Sequence, residues 1–181
     1  MHEITDWSSS EHRLISRVLA SLGTYVSSLG PGTPDARAVL ADYFRFFRRY
    51  VEGRHARIEE TVIFGELAEF AGVAGGVELL TEEHRQRADR LADLEALCAG
   101  GGPLDQDEIE QLTEEVALYS SHLRAHILKE DRALFPMAGT LLPEERISRI
   151  AAGLASFPRN GDQTDLVTLA EDLVERYPPL S

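Results

Sequence analysis

The sequence predicts an all-α protein: an up-down-up-down four-helix bundle followed by one or two short C-terminal helices. Three observations carry that expectation. Glycine and proline gather in clusters that cut the chain into long stretches. Within the stretches apolar residues recur at helical spacing. No segment alternates apolar and polar residues as a half-buried strand would. At 181 residues and 43% hydrophobic content the chain is long enough to bury one substantial core.

The first helix is expected over roughly 8–27, opened by Ser8 or Ser9, with Ile15, Leu19 and Leu22 on one face. Ser27 to Pro34 (SSLGPGTP) breaks the chain before a second helix at roughly 35–69, whose stripe includes Leu40, Phe44, Phe47 and Val51. Gly72 to Gly76 (GVAGG) forms the next break, before a third helix at roughly 77–98 with Thr81, Glu82 and Glu83 near its start. Ala99 to Pro103 (AGGGP) precedes a fourth at roughly 105–138, carrying Leu112, Val116, Tyr119 and Leu123. Pro143 suits the first position of a short helix to about 156, and another is expected near 163–176. Short connections between long helices favour antiparallel neighbours. Residues 1–157 are therefore expected to form the bundle and 158–181 a helical extension. Leu166, Leu169, Leu173 and Val174 give that extension a stripe for packing on the bundle or on a second subunit.

Charge and cysteine usage narrow the chemistry. The net charge of −13, with no basic stripe, argues against a nucleic-acid partner and fits a solvated acidic surface. Met1 to Ser10 lacks the pattern of a signal peptide, and no apolar run is long enough to span a bilayer. A soluble, cytoplasmic monomer or homodimer without a membrane partner is expected. Cys98 stands alone, which excludes an intramolecular disulfide and any Cys-based zinc or iron-sulfur site in this chain. A metal must then be held by histidine and carboxylates.

Of the six histidines, His2 is set aside as a residue of the chain terminus. His12 lies in register with Ile15, Leu19 and Leu22, and His84 with Ala88, Leu91 and Cys98, so both aim at the core. The second and fourth helices each carry His followed four residues later by Glu: His55 and Glu59 in HARIEETVIF, His126 and Glu130 in HILKEDRALF. That spacing places each pair on one face, one turn apart. Each pair continues an apolar stripe and so faces inward. A lone inward histidine is more often a hydrogen-bonded core residue, and a lone HxxxE is common on helices. One inward histidine on each of four helices, with two inward glutamates, is not what packing alone asks for. Two buried carboxylates repel and take up protons unless positive charge is supplied, and a metal supplies it. Mixed imidazole and carboxylate ligands suit iron better than calcium or magnesium, which take oxygen shells.

These segments resemble the hemerythrin-like family of HHE cation-binding domains: Glu11 and His12 (EH), His55 to Phe64, EEH ending at His84, and His126 to Pro136. The resemblance spans roughly residues 8–156. It implies His12, His55, His84 and His126 as terminal ligands, with Glu59 and Glu130 bridging two iron ions that are further linked by oxo or hydroxo. Glu60 and Asp131 are expected outside the ligand set. Ferritin-like carboxylate proteins use Glu-x-x-His with further glutamates, whereas here His precedes Glu by four. Oxygen-carrying hemerythrins place a second histidine one turn along the third helix, and this sequence has Ala88 there and Leu80 one turn before. His122 is a candidate replacement, about 40° round the helix and ~6 Å along it from His126. Its alternatives are a hydrogen bond to a ligand from outside, or a plain polar residue. Tyr119 is a further candidate to touch the metals or a plain core residue.

With about two coordination positions left per iron, a small ligand such as dioxygen, hydrogen peroxide or nitric oxide is the expected reactant. Oxidative or nitrosative stress protection or sensing, with catalase-like or nitric oxide-reducing activity, is the first expectation. Iron storage, donation or iron-sulfur cluster repair is the second, and a metal-binding scaffold or sensor whose helices engage a partner the third. A di-iron oxygenase acting on an organic substrate is a further reading, and no catalytic residue is assigned.

Overall fold

A computed structural model describes residues 2–70, 72–157 and 161–180, and all regular structure among them is helical. Six helices follow in order. They are α1 (His2–Ser27), α2 (residues 36–67), α3 (Ala74–Leu97), α4 (residues 106–141), α5 (Glu144–Ser156) and α6 (Gly161–Arg176). Helix α1 starts earlier than the serine signals suggest, and Ser8 is buried within it. Helix α3 also starts early, at Ala74, so Gly75 and Gly76 are helical and Thr81 lies inside the helix. Pro143 caps α5 from outside. The expected 157/158 boundary borders residues 158–160, which lie outside the described residues, as does the side chain of His2.

One continuous stripe buries α1: Glu11, His12, Ile15, Val18, Leu19, Leu22, Tyr25 and Val26, in which each turn's buried residues recur three or four positions further on. Helix α4 begins with a capping box, in which Asp105 accepts from the Glu108 backbone N–H and the Glu108 side chain accepts from that of Asp105. The Arg37 guanidinium grips both Glu108 carboxylate oxygens at 2.7 and 2.8 Å and donates to the Gly102 carbonyl, which locks the α3–α4 loop onto the start of α2.

Helices α2 and α4 change their winding where they carry the HxxxE motifs. In α2 the α-helical turn of Ala36–Phe46 gives way to π-helix over Phe47–Ala56 and again over Glu59–Phe64. In α4 the π segment is Glu130–Leu134. A π turn closes its hydrogen bonds five residues back and so admits one more residue per turn.

Helix α1 packs against α2 and α4, and α3 packs against the same two, so the four long helices close a ring. Helix α5 lies on the second half of α2 and on α1. Helix α6 returns to α1 and α2, burying Leu166, Ala170 and Leu173, while the Ser21 hydroxyl donates to the Leu173 carbonyl. The extension's apolar stripe is thus covered by its own chain.

The apolar interior has two parts. The larger is built from Ile15 to Val26 of α1, Val39 to Val51 of α2, Leu91 and Leu94 of α3, Ile109 to Ile127 of α4, and α6. The smaller holds Ile63, Phe64 and Leu67 of α2, Val77 and Leu80 of α3, Leu134, Phe135 and Ala138 of α4, and Ile150 of α5. Along α1 and α3 the chain runs from the smaller part towards the larger, with Trp7 packed on the smaller at the start of α1; along α2 and α4 it runs the other way. Between the two parts lies a polar layer. No helix among the described residues is long and apolar enough to cross a membrane.

Candidate metal centre

Each of the four long helices contributes to that layer. His12 comes from α1, His55 and Glu59 from α2, His84 from α3, and His126 and Glu130 from α4, all of them buried and both glutamates 0% exposed. The two carboxylates each face both histidine pairs. Glu59 Oε1 lies 3.2 Å from His55 Nε2 and 3.8 Å from His12 Nε2, while its Oε2 lies 3.4 Å from His84 Nε2. Glu130 Oε1 lies 3.1 Å from His126 Nε2, and its Oε2 3.3 Å from His12 Nε2. Two overlapping groups result, His12, His55, Glu59 and Glu130, and Glu59, His84, His126 and Glu130, each with its ligand atoms within 4.8 Å of one another. Both carboxylates belong to both groups.

The polar atoms of this layer are poorly satisfied by protein alone. His12 Nε2 and all four oxygens of Glu59 and Glu130 are buried without a hydrogen-bond partner. His84 Nε2 and His126 Nε2 stand 2.9 Å apart. Their Nδ1 atoms meet carboxylates, Glu60 at 2.7 Å and Glu83 at 3.0 Å. With each neutral imidazole donating its single proton outward, two lone pairs face each other across that gap. Buried acceptors left unmet cost roughly 1–3 kcal/mol each, more when charged. Cations within reach of the two groups, one beside His12 and one between His84 and His126, both touching the shared glutamates, would answer these deficits, so the donor set fits a metal.

The protonation pattern follows the same geometry. Burial opposes charge on His12, yet the carboxylates of Asp131, Glu130 and Glu59 push its pKa up to about 11. The other three histidines go the opposite way, with burial the largest cause in each. His126 falls to about 3, helped by the buried Arg87 guanidinium, His84 is lowered, and His55 is held well below its ordinary value.

Aromatic rings support the histidines from the side of the smaller core. Phe64 stacks on His84 at 5.7 Å between centroids, Phe135 on His12 at 6.4 Å, and Trp7 on His55 at 5.4 Å. Phe64 and Phe135 each follow the motif glutamate by five residues, so the hydrophobic tail of each HxxxE motif reaches the histidine of another helix.

His122 belongs to neither group and is partly exposed, one turn before His126. Tyr119 is buried in the larger core with its ring edge-on to Phe47 at 5.4 Å, and its hydroxyl has no hydrogen-bond partner. On α3 the inward face after His84 is Arg87, not Ala88; Ala88 is half-buried and lines a surface groove. Cys98 is likewise only partly buried.

Two grooves reach the layer from solvent. One of about 570 Å³ runs beside Glu52, Ala56, Glu60, Thr81 and Ala88 to His84. The other, about 560 Å³, runs beside Ser9, Ser16, Ile127 and Asp131 to His12. Sequence reasoning missed the buried Arg87 and its partly buried partner Glu52. It also left Glu11, Glu60, Glu83 and Asp131 without partners, and the structure sets each of them beside one of the four histidines.

Comparison with known proteins agrees with this geometry. Uncharacterized proteins of Mycobacterium tuberculosis (strain ATCC 25618 / H37Rv) and Mycobacterium bovis (strain ATCC BAA-935 / AF2122/97) are each 24% identical over 127 residues. The match covers 70% of this chain and 49% of each relative. The chain thus spans about half the length of the curated relatives it matches. No solved structure matches it. The family model described as the hemerythrin HHE cation binding domain matches residues 4–138, a span that includes all six convergent side chains, and the chain belongs to that family.

Proposed function

We propose that the chain is a non-haem di-iron protein that binds or reacts with a small oxidant, namely dioxygen, hydrogen peroxide or nitric oxide, in protection against or sensing of oxidative or nitrosative stress. The single observation that carries the reading is the pair of four-residue groups sharing both buried glutamates. A carboxylate whose two oxygens face different histidine pairs is suited to bridge two ions, and His12 with His55, and His84 with His126, are suited to end the two sides. The opposite running directions of neighbouring long helices support an up-down-up-down four-helix bundle as the frame.

Four imidazoles with two carboxylates favour iron over an oxygen-seeking cation. When bound, such a metal pair supplies open coordination positions and one-electron steps for a small oxidant. The chain's own residues prepare for it. Burial and the Arg87 guanidinium disfavour protonation of His84 and His126, which keeps their Nε2 lone pairs available. Phe64, Phe135 and Trp7 hold rings in place and exclude water from one side. The grooves beside His84 and His12 bring solvent to the rim of the layer, a route wide enough for diatomic and peroxide ligands.

The test is anaerobic loading with ferrous iron, followed by metal analysis and visible spectra before and after dioxygen, peroxide or nitric oxide. The expected result is two irons per chain, a charge-transfer spectrum that changes with the oxidant, and loss of both irons in Glu59→Ala and Glu130→Ala. Consumption of each oxidant no faster than with free iron would sink the redox reading. Iron binding that survives both substitutions would sink the shared-carboxylate centre.

A further inference from the structure

We propose that Glu60, Glu83 and Asp131 are positioning residues that, with Glu11 as the looser fourth member, form a ring of outer carboxylates, each set against the Nδ1 side of a histidine on a different helix so that its Nε2 faces the metals. The proposal rests on the metal-centre reading above. Around the bundle, Glu11 of α1 faces His55 of α2, and Glu60 of α2 faces His84 of α3. Glu83 of α3 then faces His126 of α4, and Asp131 of α4 returns to His12 of α1. Three of the four contacts are hydrogen bonds, at 2.7 Å for Glu60, 2.9 Å for Asp131 and 3.0 Å for Glu83. The fourth, Glu11 to His55, is 3.8 Å, too long for a hydrogen bond, and His55 Nδ1 is buried without a hydrogen-bond partner. Each of the four long helices gives one of these histidines and one of these acids, and each acid faces the next helix in the ring.

The sequence places these acids by two simple offsets. Glu11 and Glu83 immediately precede His12 and His84, and Glu60 and Asp131 immediately follow Glu59 and Glu130. A residue next to an inward one points about 100° away round an α-helix, as for Glu11 and Glu83, and somewhat less round the wider π turns that carry Glu60 and Asp131. That offset aims the acid at the neighbouring helix's histidine instead of its own. The ring is therefore a consequence of helix geometry once the six inner residues are fixed.

A neutral imidazole has one N–H. Donating it outward at Nδ1 leaves the lone pair at Nε2, which a metal requires, and a carboxylate acceptor makes that nitrogen more basic. Three of the acids are themselves anchored. Glu11 accepts from Arg54 at 2.8 Å, Glu83 pairs with Lys129, and Asp131 accepts from Ser8 at 3.4 Å. Glu11 and Glu83 are buried, and a buried carboxylate without such partners would be costly. Glu60 and Asp131 are 41% and 37% exposed and stand at the two grooves. None of the four lies in either group of inner ligand atoms.

The half-exposed pair makes the ring testable, because truncating Glu60 or Asp131 leaves no buried hole. The measurements are ferrous iron affinity by chelator competition and imidazole nitrogen NMR of the zinc-loaded protein. Circular dichroism checks that each variant is folded. Glu60→Ala and Asp131→Ala are each expected to weaken iron binding by ~10–100-fold. Each should also lose the protected Nδ1 proton of its own histidine, His84 or His12, a signature that a merely structural role would leave in place. Glu60→Gln and Asp131→Asn keep an acceptor oxygen and should recover most of the affinity. Glu82→Ala, which removes an exposed acid lining the same groove as Glu60, should bind iron as the wild type does. Alanine variants with affinity within twofold of wild type and unchanged Nδ1 signals, alongside a Glu59→Ala that binds no iron, would overturn the ring alone. A wild-type protein that holds no iron, or a Glu59→Ala that holds it normally, would overturn the metal reading and the ring together.

Discussion

Arg87 is 1% exposed and is the largest fully buried side chain among the described residues. Its guanidinium donates from Nε and Nη2 to the two oxygens of Glu52, at 2.7 and 3.2 Å, a two-pronged pair that joins α3 to α2 beside the metal layer. Removing one member of a buried ion pair leaves the other charge uncompensated, whereas replacing both by apolar groups is far milder. Arg87→Ala should therefore cost about 3–5 kcal/mol in a urea titration, and the double variant Arg87→Leu with Glu52→Leu should regain most of it. A double variant as unstable as the single one would show that the loss comes from packing and not from the stranded carboxylate. The sequence hid this pair, because Arg87 sits in RQRADR, a run that looks like a solvated helix face. Its one legible signal is the three-residue step from His84, which puts both on one side of α3. The histidines were easier to find, since two copies of HxxxE on well-marked apolar stripes leave few ways to point them.

The π segments explain a pattern at the scale of the helix. Phe47, Val51, His55, Glu59 and Ile63 are all buried, and they are spaced strictly four apart. On an ideal α-helix each such step drifts about 40°, so four steps would carry Ile63 about 160° round from Phe47. The wider π turn absorbs the drift and keeps all five on one face. His126, Glu130, Leu134 and Ala138 repeat the pattern on α4 around its own π segment. Periodicity located both helices in the sequence, but a template of 3.6 residues per turn does not register a four-residue stripe as a change of winding. The second π segment of α2 is braced by α5, where Gly153 passes so close to Val62 that an added Cβ would stand 2.6 Å from its Cγ1. Gly153→Ala gains helix propensity of ~1 kcal/mol, but valine is stiff about χ1 and cannot easily give way. The clash should win, with a net loss of about 1–2 kcal/mol in thermal or urea unfolding. In a Val62→Ala background the same substitution should instead stabilise. A loss of equal size in both backgrounds would remove the close approach as its cause.

For the whole molecule the metal layer is also a seam. The larger apolar core lies on one side with α6 packed over α1 and α2; the smaller lies on the other and holds the end of α2, the start of α3, the end of α4 and α5. The helical class and the four long helices were legible from glycine and proline clusters and apolar spacing. The docking of α6 was not, because a stripe of leucines fits its own bundle or a second subunit equally well and only tertiary contact decides. The division of the core was not legible either, since the same stripes run unbroken through both parts. Between them stand the unpartnered oxygens of Glu59 and Glu130 and the opposed Nε2 atoms of His84 and His126. That is where cohesion across the bundle is weakest without a cation. Metal binding couples to folding by stabilising the form that presents the complete ligand set, and its effect on local opening is largest where opening breaks that set. Adding ferrous iron anaerobically should therefore slow amide exchange most in residues 59–80 and 130–150. Residues 15–26 and 109–123, deep in the larger core, should change little beyond any rise in global stability. A slowing confined to the larger core, or spread evenly over both parts, would mean that the layer does not act as a seam.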